Sequence, residues 1–144
     1  MDFAYYSHLE VYALDFRQPL QLQESERFCS FELATKTEIQ SKRLILIQDL
    51  RGSDISQVET KKMVAHSYRM KKYQRRLADS LSIYLVSNKW DFAMLRMYCV
   101  YAEIHGIRPE RNTIITEDFG EAIKWLVDKN SDLQSYRRDL ESIL

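Results

Sequence analysis

The chain has 144 residues, 45% of them hydrophobic and 29% charged, with three glycines, two prolines and a formal net charge of zero. That profile excludes a disordered tail and argues against a general nucleic-acid binder, and it suits one domain that buries a core without disulfide or metal support. No apolar run reaches the roughly eighteen residues a membrane span needs, and Asp2 followed by aromatics is not a targeting segment, so a cytoplasmic protein is expected.

Taken in order, residues 3–16 are aromatic and β-branched, with Leu9, Val11 and Ala13 alternating against Glu10, Tyr12 and Leu14. They predict a strand or a short hairpin, ended by Pro19. A helical period follows over residues 24–40, placing Phe28, Phe31, Thr35 and Ile39 on one face, while Cys29, Phe31 and Leu33 leave a strand as the minority reading. The aliphatic run Leu44, Ile45, Leu46, Ile47 is too short for a helix and lacks polar alternation, which marks the central strand, buried on both faces. Residues 57–77 contain no glycine or proline and carry apolar residues at helical spacing. Residues 81–86 form a further apolar strand, and residues 89–105 a helix stopped by Gly106. After Arg108-Pro109 come a strand at residues 113–116 and a helix capped by Asp118 and Glu121, broken at Asn130-Ser131-Asp132 before a last amphipathic stretch to Leu144. Strands alternating with helices imply a mostly parallel sheet with right-handed crossovers. The two cysteines, Cys29 and Cys99, sit among apolar neighbours and read as buried thiols.

The turn after the central strand is where ligand sites of open α/β sheets lie. It holds Asp49, Arg51, Ser53, Asp54 and Ser56, and the Ser56-Gln57-Val58-Glu59 spacing predicts a capping box that starts the next helix. Ser56 is then either a cap or an acceptor of phosphate at a helix N-terminus. A receiver-type phospho-aspartate at Asp49 would need a second acid and a late lysine, and the chain offers only Asp15 and no matching lysine.

Asp49-Leu50-Arg51-Gly52, Ile55-Ser56, the strand Ile83-Tyr84-Leu85-Val86 and the segment from Thr116-Glu117-Asp118-Phe119-Gly120-Glu121 to Trp125-Leu126 resemble the STAS-like, or SpoIIAA-like, family over residues 9–126. The resemblance implies a four- to five-stranded, mostly parallel mixed sheet with helices packed mainly on one side, residues 131–144 being a helical extension. It implies a non-catalytic interaction or regulatory module that binds a protein partner or a small anionic ligand. In the anti-sigma-factor antagonists of that family a serine after the turn is phosphorylated. This chain departs from their Asp-Ser-Ser-Gly pattern at Ile55-Ser56-Gln57-Val58, which places it nearer the broader SpoIIAA-like group.

Other constellations point less sharply. His8, His66 and His105 lie apart, and neither a glycine-rich phosphate loop nor a zinc spacing occurs, so no catalytic residue, metal or cofactor is expected. The enzyme alternative is a small-molecule-processing site in the 49–56 turn; a lipid or anion carrier is a third class. Lys61, Lys62, Arg69, Lys71, Lys72, Arg75 and Arg76 place seven positive charges in a neutral chain, interleaved with Tyr68 and Tyr73. The bland reading is a solvated face, and the functional one is a surface for an acidic partner or anionic lipid, with nucleic acid last. Residues 90–104 are apolar nearly all round, with only Asp91, Arg96 and Glu103 polar. That helix must bury a second surface, either under Leu133, Tyr136, Leu140 and Ile143 or in a homodimer through Trp90, Met94, Met97, Tyr98 and Tyr101.

Overall fold

Hairpin geometry opens the chain. β1 (Asp2–Tyr6) runs antiparallel to β2 (Val11–Asp15) across a turn at residues 7–10, where Glu10 takes a left-handed φ of 59°. The computed structural model describes residues 1–16, 20–33 and 43–144. Three parallel strands follow: β3 (Ile45–Asp49), β4 (Leu81–Leu85) and β5 (Thr113–Thr116), giving a five-stranded mixed sheet in the order β1-β2-β3-β4-β5. β3 is the central strand, one residue further along than the aliphatic run alone suggests.

Each parallel connection carries helix. α1 (Leu22–Phe28) links β2 towards β3, α2 (Thr60–Met70) and α3 (Gln74–Leu77) link β3 to β4, and α4 (Lys89–Ile104) links β4 to β5. Because strands are added consecutively in one direction, crossovers of one hand bring these helices to one face of the sheet. There Phe28, Met63, Met70, Leu77, Leu95 and Cys99 pack on Tyr12, Leu14, Leu46 and Tyr84. α5 (Phe119–Lys129) and α6 (Arg137–Glu141) cover the opposite face, where Ala122, Ile123, Leu126, Leu133 and Leu140 meet Val11, Ile45, Ile47, Ile83 and Leu85. The two faces of β2, β3 and β4 are therefore both buried, as parallel strands require. The expectation of helices mainly on one side is corrected to three layers, since the C-terminal helices close the second face.

Three helix boundaries also differ from expectation. α1 gives way after Phe28 to a π-helical turn, Cys29–Leu33, and Phe31 is 69% exposed instead of facing the core with Phe28. The rest of that predicted helix, with Thr35 and Ile39, lies outside the described residues. The predicted 57–77 helix begins only at Thr60 and is interrupted by a 3-10 turn, Lys71–Tyr73. The break at Asn130 stands, as the N-cap of a 3-10 segment, Ser131–Tyr136.

Candidate functional site

The turn after β3 is closed on itself. Asp49 accepts two bonds of 2.9 Å from the Arg51 guanidinium and one of 3.1 Å from its backbone N–H. Burial pushes the Asp49 carboxyl up, but those bonds and the guanidinium charge outweigh it and hold the group below its ordinary range. Ser53 is buried, and its hydroxyl donates to the Phe16 carbonyl at 2.9 Å. The capping box is corrected: Asp54, not Ser56, is the cap. Its carboxylate accepts both the Ser56 N–H, at 3.1 Å, and the Ser56 hydroxyl, at the head of a 3-10 turn, Ile55–Gln57. Val58 and Glu59 are extended, and α2 starts with no side-chain cap. The five predicted residues are thus brought together, but Asp49 is bound to Arg51, Asp54 to Ser56 and Ser53 to the Phe16 carbonyl at the end of β2.

The basic stretch is divided. Lys72 and Arg69 both reach Glu26 of α1, at 2.7 and 3.5 Å, and the Lys72 bond is the largest cause holding the Glu26 carboxyl below its ordinary value. Lys61, Lys62, Lys71 and Arg75 face solvent, and Arg76 is half-buried with two guanidinium nitrogens unpartnered. Tyr68 is exposed, edge-on to His105.

α4 shows two apolar faces. Leu95, Cys99 and Ala102 point into the core, and so does Tyr98, whose hydroxyl end lies in the interior while its ring stacks on His66 at 5.8 Å. Tyr98 is therefore corrected from an interface residue to a core residue. On the outer face Trp90 is 78% and Ile104 68% exposed, Ala93 and Val100 are exposed between them, and Met97 and Tyr101 are half-buried. Met94 is half-buried and packs against the core. The intramolecular cover by the C-terminal segment is overturned: Leu133, Leu140 and Ile143 pack beneath the opposite face of the sheet.

A cavity of about 70 Å³ lies between the helices and the sheet. Its walls are mostly aliphatic, including Leu14, Leu46, Met63 and Leu95, but Gln48, His66, Tyr84, Tyr98 and Arg108 also line it. The route that brings Arg108 inside is local. At the end of α4 the Gly106 N–H donates to the Glu103 carbonyl at 3.0 Å and the Ile107 N–H to the Ala102 carbonyl at 2.8 Å, with Gly106 at φ 72°. These two bonds are a Schellman turn, which reverses the chain and drives Ile107 against Ala102. Arg108 follows it inward and is 6% exposed. Its Nε donates to Ser80 Oγ at 2.8 Å and its Nη1 to the Tyr84 hydroxyl at 3.5 Å. Gln48 Nε2 donates to Ser82 Oγ at 2.7 Å on the same face of the sheet. His66 is buried with Nδ1 unpartnered, and burial, aided by the Arg69 charge, lowers its imidazole to about 4, so the ring is neutral at neutral pH. Burial likewise pushes the thiols of Cys29 and Cys99 up to about 12. Arg108 and His66 were not singled out as site residues from the sequence. The one signal available was Gly106 followed directly by Ile107, an apolar residue after a helix-ending glycine.

Among the described residues no cluster of three histidine, cysteine or acidic side chains could hold a metal, and no helix is long and apolar enough to cross a membrane. No family model matches the chain, and neither does any curated protein or any solved structure.

Proposed function

We propose that the chain is a non-catalytic, STAS-like interaction module whose working surface is the outer face of α4, and that its partner there is a second copy of the same chain. The observation that carries this reading is the row Trp90, Ala93, Val100 and Ile104, exposed apolar residues along the solvent side of the helix, with Tyr101 half-buried beside them and Met97 packed on the core. An amphipathic helix needs one apolar face, and α4 has already spent one on the core. Self-pairing is favoured by the charges. Arg96 and Glu103 lie seven residues apart, two turns along the same border of the stripe, so a two-fold axis pairing the helices antiparallel sets each against the opposite charge of its copy.

Sedimentation of the purified chain across micromolar concentrations tests the reading. Dimers are expected, and Trp90→Glu or Ile104→Glu should give folded monomers with unchanged far-ultraviolet circular dichroism. A parent chain that stays monomeric throughout that range would overturn the homodimer.

A further inference from the structure

The interior of this domain holds a positive charge, on Arg108, that no carboxylate among the described residues neutralises. A guanidinium remains ionised at any working pH and has five N–H donors in a planar fork. The two hydrogen bonds of Arg108 go to hydroxyls, and among the described residues no carboxylate pairs with it. The other titratable groups on the cavity wall supply no negative charge. Tyr98 and Cys29 are kept protonated by burial, and His66 is neutral. A buried cation without a counter-ion costs several kcal/mol of desolvation, so natural cores avoid one unless an anion is to meet it. Elsewhere among the described residues the arginines that approach carboxylates do so nearer the surface: Arg43 with Asp132, Arg51 with Asp49, Arg69 with Glu26 and Arg137 with Glu141.

The space beside Arg108 is larger than a solvation site. At about 70 Å³ it exceeds the roughly 10–15 Å³ that one water needs and is about half of the roughly 150 Å³ cavity that holds a benzene ring, so it has room for a short-chain acid and not for an aryl or long acyl body. Arg108 lies beside Tyr84 and Tyr98 in the cavity lining, and His66, stacked on Tyr98, has Nδ1 without a partner. An apolar chamber with a few convergent polar groups is the usual form of a small-molecule site.

We infer that this cavity binds a short-chain monocarboxylate such as acetate or propionate, its carboxylate against the Arg108 guanidinium and its alkyl end among Leu14, Leu46, Met63 and Leu95. A carboxylate matches the guanidinium fork two bonds at a time and cancels its charge. A phosphate group would bring a second charge and more oxygens than the neutral wall satisfies. The site is independent of the α4 stripe, which lies on the other side of that helix, so either proposal can fail alone.

Calorimetric titration of the full chain with acetate and propionate tests the inference, with acetamide and propionamide as uncharged counterparts. The acids should bind, and the amides should bind at least about tenfold more weakly, the loss expected for one charge-assisted bond. Arg108→Met should abolish the preference of acid over amide, and Arg108→Lys should keep part of it. Should Arg108→Met not fold, Ala102→Leu, which fills the chamber and leaves the charge, should weaken acetate and propionate alike. No binding at millimolar acid, equal binding of acid and amide by the parent, or an acid preference that survives in Arg108→Met would each overturn the site.

Discussion

The Lys72 ammonium stands 2.7 Å from Glu26 Oε1, and through that contact the basic stretch of the chain is turned partly inward onto α1. Lys72→Glu should lower the melting temperature by setting two carboxylates together, and adding Glu26→Lys should recover most of the loss. The effect should shrink as salt is raised, because the contact is exposed and screened. A double variant no more stable than Lys72→Glu alone would remove the pair from the account of α1 docking.

Ile45 and Ile47 are fully buried beneath α5 on the central strand. Replacing either by alanine leaves a cavity between strand and helix and should cost about 2–5 kcal/mol. Urea unfolding measures this directly, and midpoints within error of the parent would contradict the central placement of β3.

Asp54 and Ser56 exchange the roles expected of them. Asp54→Ala should cost about 1 kcal/mol, the ordinary worth of a capping side chain, whereas Ser56→Ala, which removes only a hydroxyl donated to Asp54, should fall within about 0.5 kcal/mol of the parent. Thermal unfolding of the two variants decides the assignment. Ser56→Asp should be the more harmful change at this position, because it sets a carboxylate beside that of Asp54.

His66 gives the fold a pH dependence whose sign follows from its burial. Its folded value, about 4, lies below the unfolded value near 6.5. Between those limits the unfolded chain holds more protons, so stability falls as pH drops from 6.5 to 4 and levels off below. The loss from this group is on the order of 3 kcal/mol. His66→Phe should remove that part of the slope and leave the acid limb of the carboxylates. Parent and variant curves that run parallel between pH 6.5 and 4 would contradict a buried neutral imidazole.

Much of this architecture is written locally. Ile45 and Ile47 could be assigned to a buried strand because four aliphatic residues in a row have no other stable use. Asp118 could be assigned to a cap because its carboxylate had to meet the free N–H groups of Gly120 and Glu121. Ser56 misled because a capping box presumes that the helix starts at once. Here Asp54, two residues earlier, captured the amide, and the extended Val58 and Glu59 postponed α2 to Thr60. Tyr98 misled for a different reason: a helix apolar all round does not say which stripe turns inward, and that was decided by the sheet opposite Leu95 and Cys99. Arg108 was hidden because a charged residue before proline reads as loop, and only the reversal after Gly106 carries it inside.

The consecutive order of the strands has a consequence for how the chain acquires its shape. Each new strand pairs with the one made just before, so the sheet can lengthen at its free edge as synthesis proceeds, from the β1–β2 hairpin to β5, with every crossover helix folding down behind it. Only one layer arrives late. Until α5 and the segment with Leu133 and Leu140 emerge, Val11, Ile45, Ile47, Ile83 and Leu85 form a bare aliphatic plane several strands wide. For that interval the nascent sheet is covered on one face only, and the segment from Phe119 onward, under a fifth of the chain, closes the other.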